Sequence, residues 1–156
     1  MSPQIVAITP LINNVLQDQA NGKFTISVFL DLKKAFDILD YEALLGKLEH
    51  YGVRNTGLNW FKNYLTDRTQ CTLVNSSSSN FEKLVTGVPQ GSTQGSVLFL
   101  LYINDIVKSS TILQFTLFAD DTNISYSHAN IDSLARTLND ELKLLSEWLV
   151  NNKLFP

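Results

Sequence analysis

Two stretches of this chain alternate apolar and polar residues with a period of two, and each one runs out at an aspartate. In the first, Phe24, Ile26, Val28, Leu30 and Leu32 alternate with Thr25, Ser27, Phe29 and Asp31. In the second, Ile112 to Phe118, the residues Leu113, Phe115 and Leu117 take one side, while Gln114, Thr116, Phe118 and by extension Asp120 take the other. Successive side chains of a strand point to opposite faces, so the pattern places Asp31 and Asp120 on the polar faces of their strands. If the two strands are neighbours, carboxylates far apart in sequence meet on one open face. Asp121 would face the other way unless the turn redirects it.

The remaining segments read mostly as helices. Thr9 followed by Pro10 has the form of an N-cap with proline at the first helical position, and Leu11, Ile12, Val15 and Leu16 keep helical spacing up to a stop near Gly22. Asp40 caps a second helix with Tyr41, Leu44, Leu45 and Leu48 in one stripe and Gly52 at its end, and Leu58, Phe61 and Leu65 mark a third. Thr69 to Asn75 and Phe81 to Val85 read as strands joined by a loose loop, Ser76 to Ser79. Val97 to Val107 reads as a buried or half-buried helix, and Thr122 to Ser127 can return antiparallel, which would make Asp120 and Asp121 the tip of a hairpin. Asn130 caps the last helix, whose stripe is Ile131, Leu134, Leu138, Leu142, Leu145 and Leu149. Hairpins with helices grouped between them favour an α+β layer over a parallel doubly wound sheet. With no repeat and no linker, residues 1–156 read as one domain, and the last helix has no partner sequence after Pro156, as if the domain continued.

A chain with 44% hydrophobic and 17% charged residues can bury a core. Its net charge of -3 argues against a free-standing nucleic-acid binder, because phosphate contacts need clustered Lys and Arg. The single Cys71 cannot form an intramolecular disulfide; it reads as a small buried hydrophobe and suits a reducing intracellular compartment. The longest apolar run, Val97 to Ile103, is far short of the roughly 20 residues of a membrane span, and the N-terminus lacks a signal-peptide layout, so neither secretion nor a membrane partner is expected. His50 and His128 stand alone, without zinc-ligand spacing, and read as surface or helix-end residues. No nucleophile elbow or phosphate-binding glycine loop is present.

Paired carboxylates are what two-metal phosphoryl chemistry requires, since the protein's part is to hold divalent cations about 3.5–4 Å apart. Taken singly, each candidate also has a plainer reading: Asp-Asp as a turn, Pro-Gln-Gly as a turn, Phe36 as a core aromatic. Three longer motifs decide between these. VFLDLKKAFD at Val28 to Asp37, GVPQGS at Gly87 to Ser92 followed by LFLLYINDI, and FADDTN at Phe118 to Asn123 stand in the order and spacing of reverse transcriptase motifs. YEALLGKLEHYGV, WFKNYLTDRTQ and LNDELKLLSEWLVNNKL resemble the connecting segments of the same family. Over essentially its whole length the chain resembles the palm of a non-long-terminal-repeat retrotransposon reverse transcriptase of the LINE and jockey kind.

That resemblance implies an RNA-directed DNA polymerase with an antiparallel sheet packed on helices, incomplete fingers and no thumb. It implies that Asp31, Asp120 and Asp121 are catalytic and hold two Mg²⁺ ions, with Mn²⁺ as a substitute. Phe36 would lie under the sugar of the incoming nucleotide and exclude a 2′-hydroxyl; Pro89, Gln90 and Gly91 would pack against template and nucleotide, with Phe118 and Ala119 also in the substrate site. The implied partners are an RNA template, a DNA primer, dNTPs, and the fingers and thumb segments that this chain lacks. The basic fingers lying upstream in the family account for the acidic balance, and the chain alone is expected to give little processive synthesis. One departure stands out: Thr93, Gln94, Gly95 and Ser96 replace the family's Val-Leu-Gly-Pro stretch, which points to a less rigid loop. A decayed, inactive element and a non-catalytic scaffold with the palm fold are the alternative readings.

Overall fold

The computed structural model of the chain describes residues 3–32, 34–89, 92–118 and 121–154. Contacts group these into two compact units, one of residues 1–33 with 104–156 and one of residues 34–103.

The first unit is built on a three-stranded antiparallel sheet. Strand β1 (Phe24–Asp31), strand β6 (Gln114–Phe118) and strand β7 (Asp121–His128) lie in the order β1-β7-β6. The two alternating strands are therefore not neighbours, contrary to the simplest reading of their pattern. β7, the less regular segment, lies between them and pairs with both. The register runs Phe24↔His128 to Asp31↔Asp121 on one side and Gln114↔Ser125 to Phe118↔Asp121 on the other. Residues opposite each other share a face. Val28, Ile124 and Phe115 thus make an apolar row, while Phe29, Asn123 and Thr116 make a row on the polar face.

Helix α1 (Pro3–Ala20) contacts β1 and β6, and helix α5 (Ile131–Asn151) contacts β7 and β1. α1 begins well before Thr9, so Pro10 lies inside the helix rather than at its start. The sequence shows why: Ile5 and Ile8 continue the helical spacing of Ile12 and Val15, and one missing N–H does not outweigh the extra turns. The α5 cap is as expected, with Asn130 Oδ1 accepting from the Ser133 N–H at 2.9 Å. Leu134, Leu138, Leu145 and Leu149 are buried, whereas Ile131, in the first turn, is exposed and leaves the stripe.

The second unit carries helices α2 (Tyr41–His50), α3 (Asn55–Leu65) and α4 (Thr93–Ile103). Asp40 Oδ1 accepts from the Ala43 N–H at 2.9 Å, capping α2, and Gly52 takes a φ of +94° just beyond its end. Where two strands joined by a loose loop were expected, there are four two-residue strands, β2 (Thr69–Gln70), β3 (Leu73–Val74), β4 (Ser77–Ser78) and β5 (Glu82–Lys83), paired β2 with β5 and β3 with β4. The polar run is not loose: Asn75 and Ser76, at φ of 46° and 68°, form a tight turn, and Ser77–Ser78 pair back onto Leu73–Val74. These strands are exposed, and Cys71 between them is exposed as well, which corrects the buried-hydrophobe reading. A thin hairpin has no second layer to bury a side chain.

α4 starts at Thr93, earlier than the apolar run suggested, and a 3-10 helix over Asn104–Ser109 replaces its expected last turn. Ser92 is the cause of the early start. Its Oγ accepts from the Gly95 N–H at 2.9 Å and donates to the Pro89 carbonyl at 2.8 Å. The Thr93–Ser96 stretch that departs from the family pattern is the first turn of a capped helix. Among the described residues no helix is long and apolar enough to cross a membrane.

Candidate active site

In the first unit, Phe118, Asp121 and Asp31 form one row across β6, β7 and β1. Neighbouring strands lie about 4.8 Å apart, and directly opposed residues hold their Cβ atoms about 4.5–5.5 Å apart. The Asp31 and Asp121 carboxylates consequently leave the same face of the sheet side by side. Both residues are exposed, and among the described residues no side chain is hydrogen-bonded or ion-paired to either carboxylate. Like charges set directly opposite each other destabilise a ladder unless a cation lies between them.

Asp120 and Ala119 lie outside the described residues, as do Gln90 and Gly91. The partner that the structure gives Asp31 is therefore Asp121, the member of the doublet about which alternation was least informative. Among the described residues no group of three His, Cys, Asp or Glu is placed to hold an ion. The pair itself fits a hard divalent cation: its donors are exposed carboxylate oxygens, the ligand type that Mg²⁺ takes with its remaining positions filled by water or substrate phosphate.

Sequence reasoning overlooked Asn123. It is two residues beyond Asp121 on the same face, opposite Phe29, and is 7% exposed. Its Nδ2 donates to the Val28 carbonyl at 3.4 Å, while its Oδ1 is buried without a hydrogen-bond partner among the described residues. The signal was present in the alternation, which puts Asn123 in phase with Asp121. Farther along this face a polar cluster closes the row: Thr25 and Ser127 share a 2.8 Å hydrogen bond between their hydroxyls. The Ser127 hydroxyl, followed by Lys23, holds the Asp18 carboxyl below its usual value.

The other described candidates belong to the second unit. Phe36 is half-buried, its ring 4.9 Å from that of the buried Phe99 and tilted 42° to it. The backbone beside it is tied down by the segment that leads into Pro89. The Val88 N–H donates to the Phe36 carbonyl at 2.7 Å, the Gly87 N–H to the Leu39 carbonyl at 2.9 Å, and Thr86 Oγ1 to the Asp37 carbonyl at 2.9 Å. Gly87 is required there: its φ is +85°, and a Cβ would meet the Asp37 carbonyl oxygen at 2.7 Å. Phe36 and Pro89 are thus held by one another's backbone neighbours. His50 is exposed at the end of α2, as expected, whereas His128 is half-buried in strand β7 rather than at the surface or a helix end.

Residues 1–155 match the family described as reverse transcriptase (RNA-dependent DNA polymerase). Among curated relatives, the "RNA-directed DNA polymerase from mobile element jockey" of Drosophila melanogaster is 25% identical over 148 residues, 90% of this chain and 16% of its own length. The "Probable RNA-directed DNA polymerase from transposon BS" of the same organism is 28% identical over 151 residues, 88% of this chain and 16% of its own length. The chain therefore spans about a sixth of these relatives. Among solved structures, telomerase from Candida Tropicalis, in complex with a TWJ fragment of telomeric RNA, superposes with a TM-score of 0.70 at 14% identity, covering 99% of this chain and 28% of that one. That likeness is one of fold. With motifs, fold and a match along 155 of its residues in agreement, the chain belongs to the reverse transcriptase family.

Proposed function

We propose that residues 1–156 are part of a single reverse transcriptase domain, the palm with a portion of the fingers, of a non-long-terminal-repeat retrotransposon, and that Asp31, Asp120 and Asp121 are its catalytic carboxylates. The observation that carries this reading is the cross-strand pair Asp31↔Asp121, exposed and without a partner among the described residues. In the reaction the primer 3′-oxygen bonds to the α-phosphorus of a dNTP as the bond from that phosphorus to pyrophosphate breaks. Two bound Mg²⁺ ions would lower the pKa of the 3′-hydroxyl and neutralise the triphosphate and leaving group. The chain's own contribution is to hold both carboxylates on one rigid ladder, so that little reorganisation is needed when cations and substrate arrive.

Phe36, supported by Phe99, would lie under the nucleotide sugar, where a ring leaves no room for a 2′-hydroxyl. Pro89, Gln90 and Gly91 would pack against template and nucleotide, and Phe118 and Ala119 would complete the substrate site. The match along the chain supports an RNA template, a DNA primer and dNTPs as partners, completed by fingers and thumb from the rest of the element's protein. The Ser92 cap removes one motive for the decay reading, because the departure from the family pattern is accommodated in a regular helical turn.

Primer extension on an RNA template tests this. A protein extended to include fingers and thumb is expected to extend the primer in Mg²⁺, and to lose at least 100-fold of that activity, on the order of 3 kcal/mol of barrier, when Asp31→Asn or Asp121→Asn is introduced. Activity that persists in both variants would overturn the assignment.

A further inference from the structure

Asp31 and Asp121 are the last pair of the β1–β7 ladder. End pairs of a ladder fray, and like charges set opposite each other push this one further apart. A shared cation needs the opposite, two carboxylates held at one spacing before it arrives. We propose that Asn123 is a positioning residue that supplies this hold by fastening β7 to β1 just inside the acid pair. The proposal rests on the reading of Asp31 and Asp121 as metal ligands.

Asn123 shares the face of the two carboxylates and lies opposite Phe29, one row in from Asp31 and Asp121. The two strands differ at this end. β7 is buried from Thr122 to Ser125, whereas Phe29 and Asp31 of β1 are exposed, Phe29 by 73%. β1 is therefore the strand free to lift away, and Asn123 reaches it from the strand that is held. Its Nδ2 donates across the ladder to the Val28 carbonyl at 3.4 Å. A bond of that length adds little to global stability, so its value is its place, three residues before one carboxylate and two after the other.

The other half of the amide shows that Asn123 is not a core filler. Among the described residues, Thr122 Oγ1 and Asn123 Oδ1 are the buried side-chain polar atoms left without a hydrogen-bond partner, and both lie within two residues of Asp121. A buried orphan acceptor lowers stability, and leucine, of similar shape, would remove it. What leucine lacks is the N–H that reaches Val28. The far end of the same ladder is built differently, with the Thr25 and Ser127 hydroxyls bonded to each other at 2.8 Å. Stability is thus given up at the carboxylate end alone, where a cross-strand fastening has a use beyond stability.

The test combines hydrogen exchange by nuclear magnetic resonance on the metal-free chain with Mn²⁺ titration followed by electron paramagnetic resonance. In wild type the Asn123 side-chain amide protons should exchange about 10-fold more slowly than those of the exposed Asn139. Asn123→Leu should speed exchange of the ladder-bonded amides among residues 29–31 and 121–123 about 10-fold and leave those of residues 25–27 unchanged. It should weaken Mn²⁺ binding about 3- to 10-fold while the melting temperature stays level or rises by up to about 4 °C. Thr25→Val should do the reverse, lowering the melting temperature by about 2–4 °C with Mn²⁺ binding as in wild type. Wild-type Mn²⁺ binding that Asn123→Leu leaves intact would overturn this role alone. So would loss of protection along the whole sheet in Asn123→Leu, or an equal loss of Mn²⁺ binding in Thr25→Val, since Asn123 would then be one more stabilising contact. If Asn123→Leu does not fold, the wild-type side chain decides, and an unprotected Asn123 amide overturns the proposal. No Mn²⁺ binding by wild type would overturn the metal reading and this role with it.

Discussion

Replacing Asp31 by asparagine should stabilise the metal-free chain and destabilise it, relative to wild type, once a divalent cation is present. Asp31 faces Asp121 across the β1–β7 ladder, with no cationic neighbour among the described residues to relieve the repulsion. Carboxylates roughly 6 Å apart repel by about 0.7 kcal/mol in bulk water and about 2.8 kcal/mol at an effective dielectric constant of 20. Both residues are exposed, so the lower figure applies, and it falls within the roughly 0.2–1 kcal/mol typical of cross-strand pairs. Asparagine keeps the size and removes the charge. Urea unfolding in EDTA, followed by circular dichroism, should show Asp31→Asn more stable by about 0.5–1 kcal/mol, with a melting temperature about 1–4 °C higher. At a free Mg²⁺ concentration ten times its Kd, wild type gains about 1.4 kcal/mol by linkage and the variant gains little, so the order reverses. If Asp31→Asn is the less stable protein in EDTA, or if Mg²⁺ stabilises both proteins equally, the paired-carboxylate reasoning is refuted.

Three further outcomes follow from local geometry. Asn130→Ala removes the acceptor for the Ser133 N–H and should cost about 1 kcal/mol in urea unfolding. Gly87→Ala forces a side chain into the left-handed region and against the Asp37 backbone, and should destabilise the chain by more than about 1 kcal/mol in the same assay. The Asp18 carboxyl is lowered from 3.8 by the Ser127 hydroxyl and then Lys23, so its stabilisation is complete above that value and is lost as pH falls through the lower folded value. Asp18→Asn should therefore flatten the acid limb of a stability-against-pH curve.

Much of this architecture could be read from the sequence because it rests on local chemistry. Asp40 and Asn130 cap helices through hydrogen bonds three residues away, and both bonds form. The alternation of β1 and β6 set the faces of Phe29, Asp31 and Thr116 correctly. Strand order was not legible, since nothing local tells β1 that its partner is β7 rather than β6, and that order is why Asp31 meets Asp121. Helix starts failed in two places for opposite reasons. At α1, a Thr-Pro start signal was overridden by apolar spacing on either side of it, and at α4 a polar stretch became helical because Ser92 caps it from outside the apolar run. Cys71 and the strands around it were misjudged because burial depends on a second layer, and a hairpin of two-residue strands has none. The role of Asp120 was inferred from motif spacing and remains a proposal, since that residue lies outside those described.

The claim at the centre of this account is that Asp31 and Asp121 act together on a divalent cation. Electron paramagnetic resonance of Mn²⁺ titrated into the chain measures it directly, because bound and free Mn²⁺ are distinguished in one spectrum. Wild type should bind Mn²⁺, and Asp31→Asn and Asp121→Asn should each weaken binding at least 10-fold, about 1.4 kcal/mol. The double variant should be little worse than either single one, since both oxygens serve one ion. Unchanged Mn²⁺ binding in either single variant, or losses that simply add in the double variant, would contradict a shared site.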